Sequence, residues 1–576
     1  MPMQFRSKSF SWASHLIMMV CVFAPAVALS APALPDTGNL PRIETQPAPP
    51  IITSPNIEKK EDSNYPAVMP ENSDIKVNVD HLKFTGNKNI SDAELTSLLS
   101  PHLGQSLSIK ELNQMTALVT RYYRQHGFML AEAYLPEQDI TQNSLEIAVV
   151  EGYLGELKLQ TKDKLDEAFL KQMATHNLEN NDAIKESSLV KNITLINSLP
   201  GLNATSELSP GKEVGYSDVV IDVEALPLVT GFVAANTYGN RFTSREVLNA
   251  GIYLNNLAGR GDRLGLNLKT SNGERQRNVQ LGYIVPIHET GTMLNLNAGY
   301  SDYRLGGQFS VLGAKGNSSF VSAFLDQPVL RTRQANITAR AGLSYKDVSD
   351  DISAFSFENH RGIKALELGL FGDWREDRLK GFNQLGINLK LADVNFKNSL
   401  AKSLDATGAN TSGSFIKYNL FGSRIQPLSA TYNLIFRGEL QGTNKNLDSS
   451  EKLAIGGINR WREFGELPVS SDRGLILGAE LRKTMAPATG LANFLPIFKD
   501  AEYSPYVFFD YGRGIIDHSA LSSDNHVNSS HYGVGIDMQF AKKWLLDFAV
   551  SHQKSNIQGS GSEYDTRAWG QIQTEF

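Results

Sequence analysis

The sequence predicts a transmembrane antiparallel β-barrel of about sixteen strands, preceded by two small α+β units of order β-α-α-β-β. Three observations carry this expectation. From about Leu226 to Phe576, apolar and polar residues alternate along segment after segment with no helical pattern between them. After the N-terminal leader, no run reaches the ~18 continuous apolar residues of a spanning helix. Insertion into lipid would then require a closed sheet, the one structure besides the helix that satisfies every backbone group there. Finally, the leader reads as a secretory signal, which directs the chain to an envelope.

The leader, residues 1–30, places Arg6 and Lys8 before the apolar core "LIMMVCVFAPAVA" and offers small residues for cleavage after Ala28 or Ser30. A membrane anchor is the alternative, opposed by the short run and by Pro25 within it. Cys21, the one cysteine of the chain, precedes the small-residue site, so this is not a lipoprotein signal and the mature chain has no disulfide framework. Residues 31–74 follow as a linker. Nine of the 23 prolines fall between Pro32 and Pro70. Proline fixes its own torsion and removes a donor, so an extended tether without a core is expected.

Residues 75–152 form the first α+β unit. "IKVNVDHLKF" alternates as a strand with a register break, read as a bulge. Ser91 with Glu94, and Ser108 with Glu111, are spaced as capping boxes. The second of these opens a helix with Ile109, Leu112, Met115, Val119 and Tyr122 on one face, closed by Gly127. "MLAEAYLP" and "LEIAVVEG" are the closing strands. Residues 153–226 repeat the order: strand "GELKLQ", helix "DEAFLKQMATH", a longer helix stopped at Pro200-Gly201, then strands "NATSELSPG" and "YSDVVIDVEA".

Residues 227–576 form the barrel. "GLILGAELR" opposes Leu475, Leu477, Ala479 and Leu481 to Gly478, Glu480 and Arg482, and "HYGVGIDMQF" behaves likewise. A soluble sheet with one wet face gives the same alternation. The signal, the length of the pattern and the terminal Phe576 favour the barrel. Charged residues in these strands then face the lumen, because a lipid-facing Arg or Lys at mid-membrane costs roughly 2–4 kcal/mol. Glu439, Glu480 and Asp547 are accordingly expected as solvated wall charges beside Arg437 and Arg482, not as acid/base pairs.

"IGGINRWREF" breaks the alternation: Gly456 and Gly457 lead into Arg460, Trp461 and Arg462, with Phe464 close behind. Elsewhere the chemistry is sparse. No H-E-x-x-H, Walker loop or nucleophile elbow is present, and His526 and His531 lack ligand spacing. Arg260-Gly261-Asp262 reads as a hairpin turn. A net charge of −6 and a pI near 6.1 argue against nucleic acid. No enzymatic activity, cofactor or metal is expected.

Several stretches resemble the outer-membrane transporters of two-partner secretion (TpsB class, haemolysin-activator type). "A-Y-L-P-x-Q-D-I" stands at Ala133–Ile140 and "V-x-E-G-Y" at Val149–Tyr153, while "NSLPG" and "LSPG" resemble a second module. "NNLAGRGDRLGLNL" and "LGYIVPI" are similar to the first barrel hairpins. The resemblance implies two periplasmic polypeptide-transport-associated (POTRA) domains and an outer-membrane barrel inserted into lipid by the barrel-assembly machinery. It further implies export of one large secreted TpsA-like partner bound through the POTRA domains. With no nucleotide-binding motif in the sequence, that export is expected to run without nucleotide, the partner pairing with a POTRA strand edge by β-augmentation. It also implies a loop folded back into the barrel with a "V-R-G-[FY]" tip, here Trp461-Arg462-Glu463-Phe464. In that pattern Arg462 and Phe464 match, whereas Trp461 and Glu463 depart. The arginine's wall partner in an "F-x-D-x-G" strand falls on Phe508, Asp510 and Gly512. At ~4 Å and an effective dielectric near ~20 the attraction would be about 4 kcal/mol before desolvation. A plug helix, frequent in the family, is disfavoured by the proline spacing. A barrel-assembly insertase and a passive porin or receptor remain the alternatives.

Overall fold

The computed structural model describes residues 57–59, 76–138, 143–161, 164–176, 178, 183–213, 215–239, 242–458, 463–483, 486–487, 501–516, 526–541, 543–557 and 561–576. The leader, any plug and most of the linker lie outside them. One piece of the expected tether departs from the reading: Ile57–Lys59 forms a strand, β1.

Asp80 does not bulge a single strand. It switches the chain between two sheets. β2 (Lys76–Val79) pairs with an additional strand, β4 (Gln105–Ser108), while β3 (His81–Thr85) runs parallel to β6 (Ser144–Val150), with β5 (Glu132–Tyr134) on the far side of β6. Both capping boxes form. Ser91 opens α1 (Asp92–Leu99) and Ser108 opens α2 (Ile109–Gln125), each exchanging hydrogen bonds with the glutamate three residues on. Gly127 follows α2 with φ +90°, a left-handed position that glycine adopts without steric cost. The buried face of α2 ends on Tyr123, not on Tyr122, which is half-buried and packs on His126. Tyr123 follows Val119 by one helical turn and carries its hydroxyl to a buried acid, Glu151, at 3.1 Å. With Val79, Phe84, Leu95, Leu112 and Ile147 it forms the core of this unit.

The second unit comprises β7 (Tyr153–Gln160), α3 (Glu167–Thr175), α4 (Glu186–Asn197), β8 (Leu202–Pro210) and β9 (Tyr216–Ala225). Its sheet runs β1-β8-β9-β7, with β1 added in parallel to the edge of β8. Leu154, Phe169, Met173, Ile193, Ile196 and Ile221 fill the space between sheet and helices.

The remaining strands are β10 (Val229–Asn236), β11 (Val247–Asn255), β12 (Arg263–Ser271), β13 (Gln276–Pro286), β14 (Met293–Arg304), β15 (Ala314–Arg331), β16 (Ala335–Ile352), β17 (Phe357–Arg375) and β18 (Phe382–Phe396). After helix α5 (Ser399–Thr407) come β19 (Gly413–Pro427), β20 (Tyr432–Thr443), β21 (Leu453–Ile458), β22 (Glu463–Ser471) and β23 (Arg473–Lys483), which β24 (Ala486–Pro487) continues. The chain ends with β25 (Glu502–Ile515), β26 (His526–Phe540), β27 (Trp544–Ile557) and β28 (Gly561–Glu575). All but β21 and β22 join in chain order, and β10 pairs with β28 to close the ring. With β23 and β24 counted as one, the described residues form a closed antiparallel barrel of sixteen strands.

Alternation along each strand sorts the side chains. Leu266, Leu268, Leu296, Tyr300, Leu477, Val534 and Phe548 are exposed on the outer surface, whereas Gln280, Asn295, Lys390, Lys417, Glu480 and Asp510 are buried inward. This is the pattern of a greasy exterior around a polar bore. Among the described residues no helix is long and apolar enough to cross a membrane.

Candidate functional site in the barrel bore

On β25 the inward residues are Tyr506, Phe508, Asp510, Gly512 and Gly514, all buried. The two glycines leave a channel in the wall that the β21–β22 hairpin occupies. A Cβ on Gly512 would stand 2.7 Å from Ile455 Cγ2, and one on Gly514 would stand 2.5 Å from Ile455 Cδ1. Ile455, Leu453 and Ile476 make a small buried cluster there. Neither glycine has a positive φ, so the sequence needs them for space. The Asp510 carboxylate lies over another glycine, Gly478 of β23, its partner in register.

The hairpin itself is antiparallel, with its register shifting between Ile455 and Gly457, so Gly456 sits at an irregularity. Gly457 pairs with Phe464 and Ile458 with Glu463. Glu463 and Phe464 therefore open β22. Arg460, Trp461 and Arg462 lie outside the described residues. His531 lies within β26, opposite Asp510 in the ladder, with its ring bonded to Ser529 at 2.7 Å. Among the described residues no group of three or more His, Cys, Asp or Glu side chains could hold a metal ion.

Glu480 lies beside Arg437 and Arg482 as expected, but it is buried and not solvated. Glu480 contacts Arg482 at 2.5 Å and Arg437 at 3.3 Å. Asp547 accepts hydrogen bonds from Tyr238 at 2.6 Å and Tyr506 at 3.0 Å.

Motif reading missed a second set of contacts at the root of the hairpin. Leu447 is fully buried in an apolar patch with Ile363, Val394 and Phe415. Its amide donates to Asp472 at 2.8 Å. Asp448 bonds Arg361 of β17, which also holds Asp350 of β16 at 2.8 Å. Glu451, fully buried, meets Lys346 of β16 at 2.7 Å, Lys390 of β18 at 3.0 Å and Lys417 of β19 at 2.6 Å. Removing one partner of a buried pair costs roughly 3–5 kcal/mol, because the other charge stays stranded. Nothing in local sequence marks this cage, since its lysines come from three separate strands and each reads as an isolated lumen charge.

At the other end of the barrel, where β10 begins and β28 ends, the short turns carry the second α+β unit. Arg260, in the turn between β11 and β12, bonds Asp166 at 2.8 Å and lies over the Phe169 ring. Asn256 donates to the Gly201 carbonyl at 2.5 Å, and Arg333 of the β15–β16 turn reaches Glu186 at 3.0 Å. Asp262 is buried by its own turn, accepting from Ala258 N at 2.9 Å and Tyr283 Oη at 3.0 Å. Arg260-Gly261-Asp262 is thus a docking turn.

Asp166 also caps α3. The Phe169 amide, and then the Arg260 guanidinium, hold its carboxyl below the usual carboxylate range. A depressed folded-state pKa contributes stability that is present above the unfolded value and lost as pH falls through the folded one. The distance between spin labels on the second unit and the barrel is therefore expected to hold steady from neutral pH to about 5 and to broaden below about 4. In Asp166→Asn it should be broadened already at neutral pH. An unbroadened distance there would show that the contact is dispensable.

A family profile described as haemolysin secretion/activation protein ShlB/FhaC/HecB matches residues 215–538. The chain belongs to the ShlB/FhaC/HecB family. A second profile, POTRA domain of ShlB type, matches residues 77–152. Among ShlB/FhaC/HecB-like relatives, the heme/hemopexin transporter protein HuxB of Haemophilus influenzae strain 86-028NP is 26% identical over 544 residues, covering 93% of this chain and 94% of its own length. The outer membrane transporter CdiB of Dickeya dadantii is 23% identical, covering 81% and 80%. The solved structure of CdiB from Escherichia coli superposes with a TM-score of 0.67 at 19% identity, over 89% of this chain and 93% of that one, and shares the fold. As a member of the ShlB/FhaC/HecB family, the chain is an outer-membrane translocator of two-partner secretion, a system in which the barrel serves a large secreted partner.

Proposed function

We propose that this translocator accepts its partner as an unfolded chain on the periplasmic side, where both α+β units act as POTRA domains, and passes it through the bore. The edge of β8 is the observation that most supports the reading. That edge already holds an extended segment, with Ile57 opposite Ser206 and Lys59 opposite Leu208, so its backbone groups are presented for strand addition. A segment of the partner displaces β1 and takes the same edge by β-augmentation, where main-chain bonds give affinity whatever the sequence. Arg462 at the hairpin tip pairs with Asp510, beside Phe508 and Gly512, and holds the tip against the wall until the partner enters. Folding outside the cell biases movement outward without nucleotide, and the protein has no catalytic role. The cargo is of adhesin, haemolysin or contact-dependent toxin class. The barrel-assembly machinery inserts the barrel into outer-membrane lipid, with Phe576 closing the last strand.

Deletion in the native host tests this. The expected result is loss of one large surface protein with other outer-membrane proteins at normal levels. General depletion of outer-membrane proteins would instead assign an insertase, and loss of small-solute uptake alone would assign a porin.

A further inference from the structure

The hairpin is gripped at two places that share no wall strand. Its body lies on β23, β25 and β26, whereas the segment leading into it is tied to β16, β17, β18 and β19. At the second place Glu451 sits among Lys346, Lys390 and Lys417, and Asp448 engages Arg361 nearby. Four adjacent wall strands converge on a few residues of loop. An apolar contact of the same size would hold the loop as firmly, since a buried ion pair often gains nothing over a hydrophobic one. The difference appears when the grip opens. Lysines on the wall of a wet bore and a carboxylate on a departing loop are groups that water accepts, so both halves tolerate separation and can re-form.

We propose that Glu451 and the three lysines form an ionic lock that sets how deeply the inner hairpin sits in the bore, independently of the contact at its tip. The lock positions the loop, and its state determines how much of the bore is open. The proposal requires that the chain is a membrane barrel, but not that any particular partner is exported.

The test is ion conductance of the purified full-length protein in planar bilayers, with heat-modifiable gel migration reporting the folded barrel. Glu451→Gln is expected to raise the frequency of wide openings by on the order of tenfold or more. Glu451→Asp, which keeps the charge, should restore behaviour close to wild type, which a merely structural role for the side chain's shape would not predict. The pair Lys390→Gln/Lys417→Gln leaves Lys346 as the one lysine of the three facing Glu451, takes Lys390 from Glu367 as well, and should also widen the channel. Adding Glu451→Gln to that pair should bring little further change. Wild-type conductance in folded Glu451→Gln, or independent additive effects of the lysine and glutamate changes, would overturn the proposal. If Glu451→Gln does not yield a heat-modifiable barrel, the lysine pair decides by the same reading: wider openings support the lock and unchanged ones refute it.

Discussion

Asparagine in place of Asp510 is expected to cut surface delivery of the partner by on the order of tenfold or more while barrel abundance stays normal. The reasoning is electrostatic and local. Asp510 is buried in the wall, and its carboxylate lies over Gly478, where any side chain would crowd it. The hairpin runs along the same strand, with Ile455 seated on Gly512 and Gly514. Asparagine keeps the shape and removes the charge, so the proposed pairing with Arg462 would be lost with little change in packing. Arg462→Ala should have a similar effect. If the two side chains act as a pair, the double variant should be no worse than either single one. Surface immunoblotting of the partner, beside heat-modifiable migration of the barrel, makes the comparison. Delivery at wild-type level in Asp510→Asn would remove the wall residue from the mechanism.

The second large effect lies in the first α+β unit. Glu151 is fully buried and accepts hydrogen bonds from Asn89 N at 2.6 Å, Asn89 Nδ2 at 2.7 Å, Tyr123 Oη at 3.1 Å and Tyr153 Oη at 3.4 Å. It thereby joins the β3–α1 loop, helix α2 and the start of β7. Burial first, and then the charge of Glu151, push the Tyr123 phenol well above its usual range, so Tyr123 remains a donor at every physiological pH. Glu151→Ala strands these donors in the interior at about 1–3 kcal/mol each. Hydrogen–deuterium exchange on the full-length protein should show α2 amides losing protection by roughly two to three powers of ten, while barrel amides keep theirs. Glu151→Gln retains one acceptor oxygen and should lose less. Unchanged protection of α2 in Glu151→Ala would mean that the apolar core holds the unit without this hub.

Different parts of this architecture were legible to different degrees. The lipid-facing side was readable because a strand's period of two leaves no freedom: Leu266 and Leu268 had to lie together, and both are exposed outward. The capping boxes at Ser91 and Ser108 were equally direct, being made by residues three apart. Where several geometries shared one pattern, the reading slipped. The break at Asp80 fitted a bulge as well as a change of sheet, and only the partner strand β4 distinguishes them. Tyr122 and Tyr123 both lie about one turn beyond Val119, and Glu151, distant in sequence, selects Tyr123. Gly512 looked like a motif letter and Gly514 carried no reading until Ile455 gave both a physical purpose. Least legible was the cage around Glu451, which requires knowing the order of strands around the ring before its lysines become neighbours.

The chain's final residue meets its first barrel strand: Phe576 and Gly231 exchange backbone hydrogen bonds, and the phenylalanine ring covers the glycine. Because β10 and β28 are so distant in sequence, the ring closes only when two strands from opposite ends of the barrel segment find one another. Contacts of such long range are slow to form. Until then the outer edges of β10 and β28 carry unpaired backbone groups, which invite pairing with other chains. Pairing β10 with β28 removes both edges in one step, so closure of the cylinder is also its protection against association.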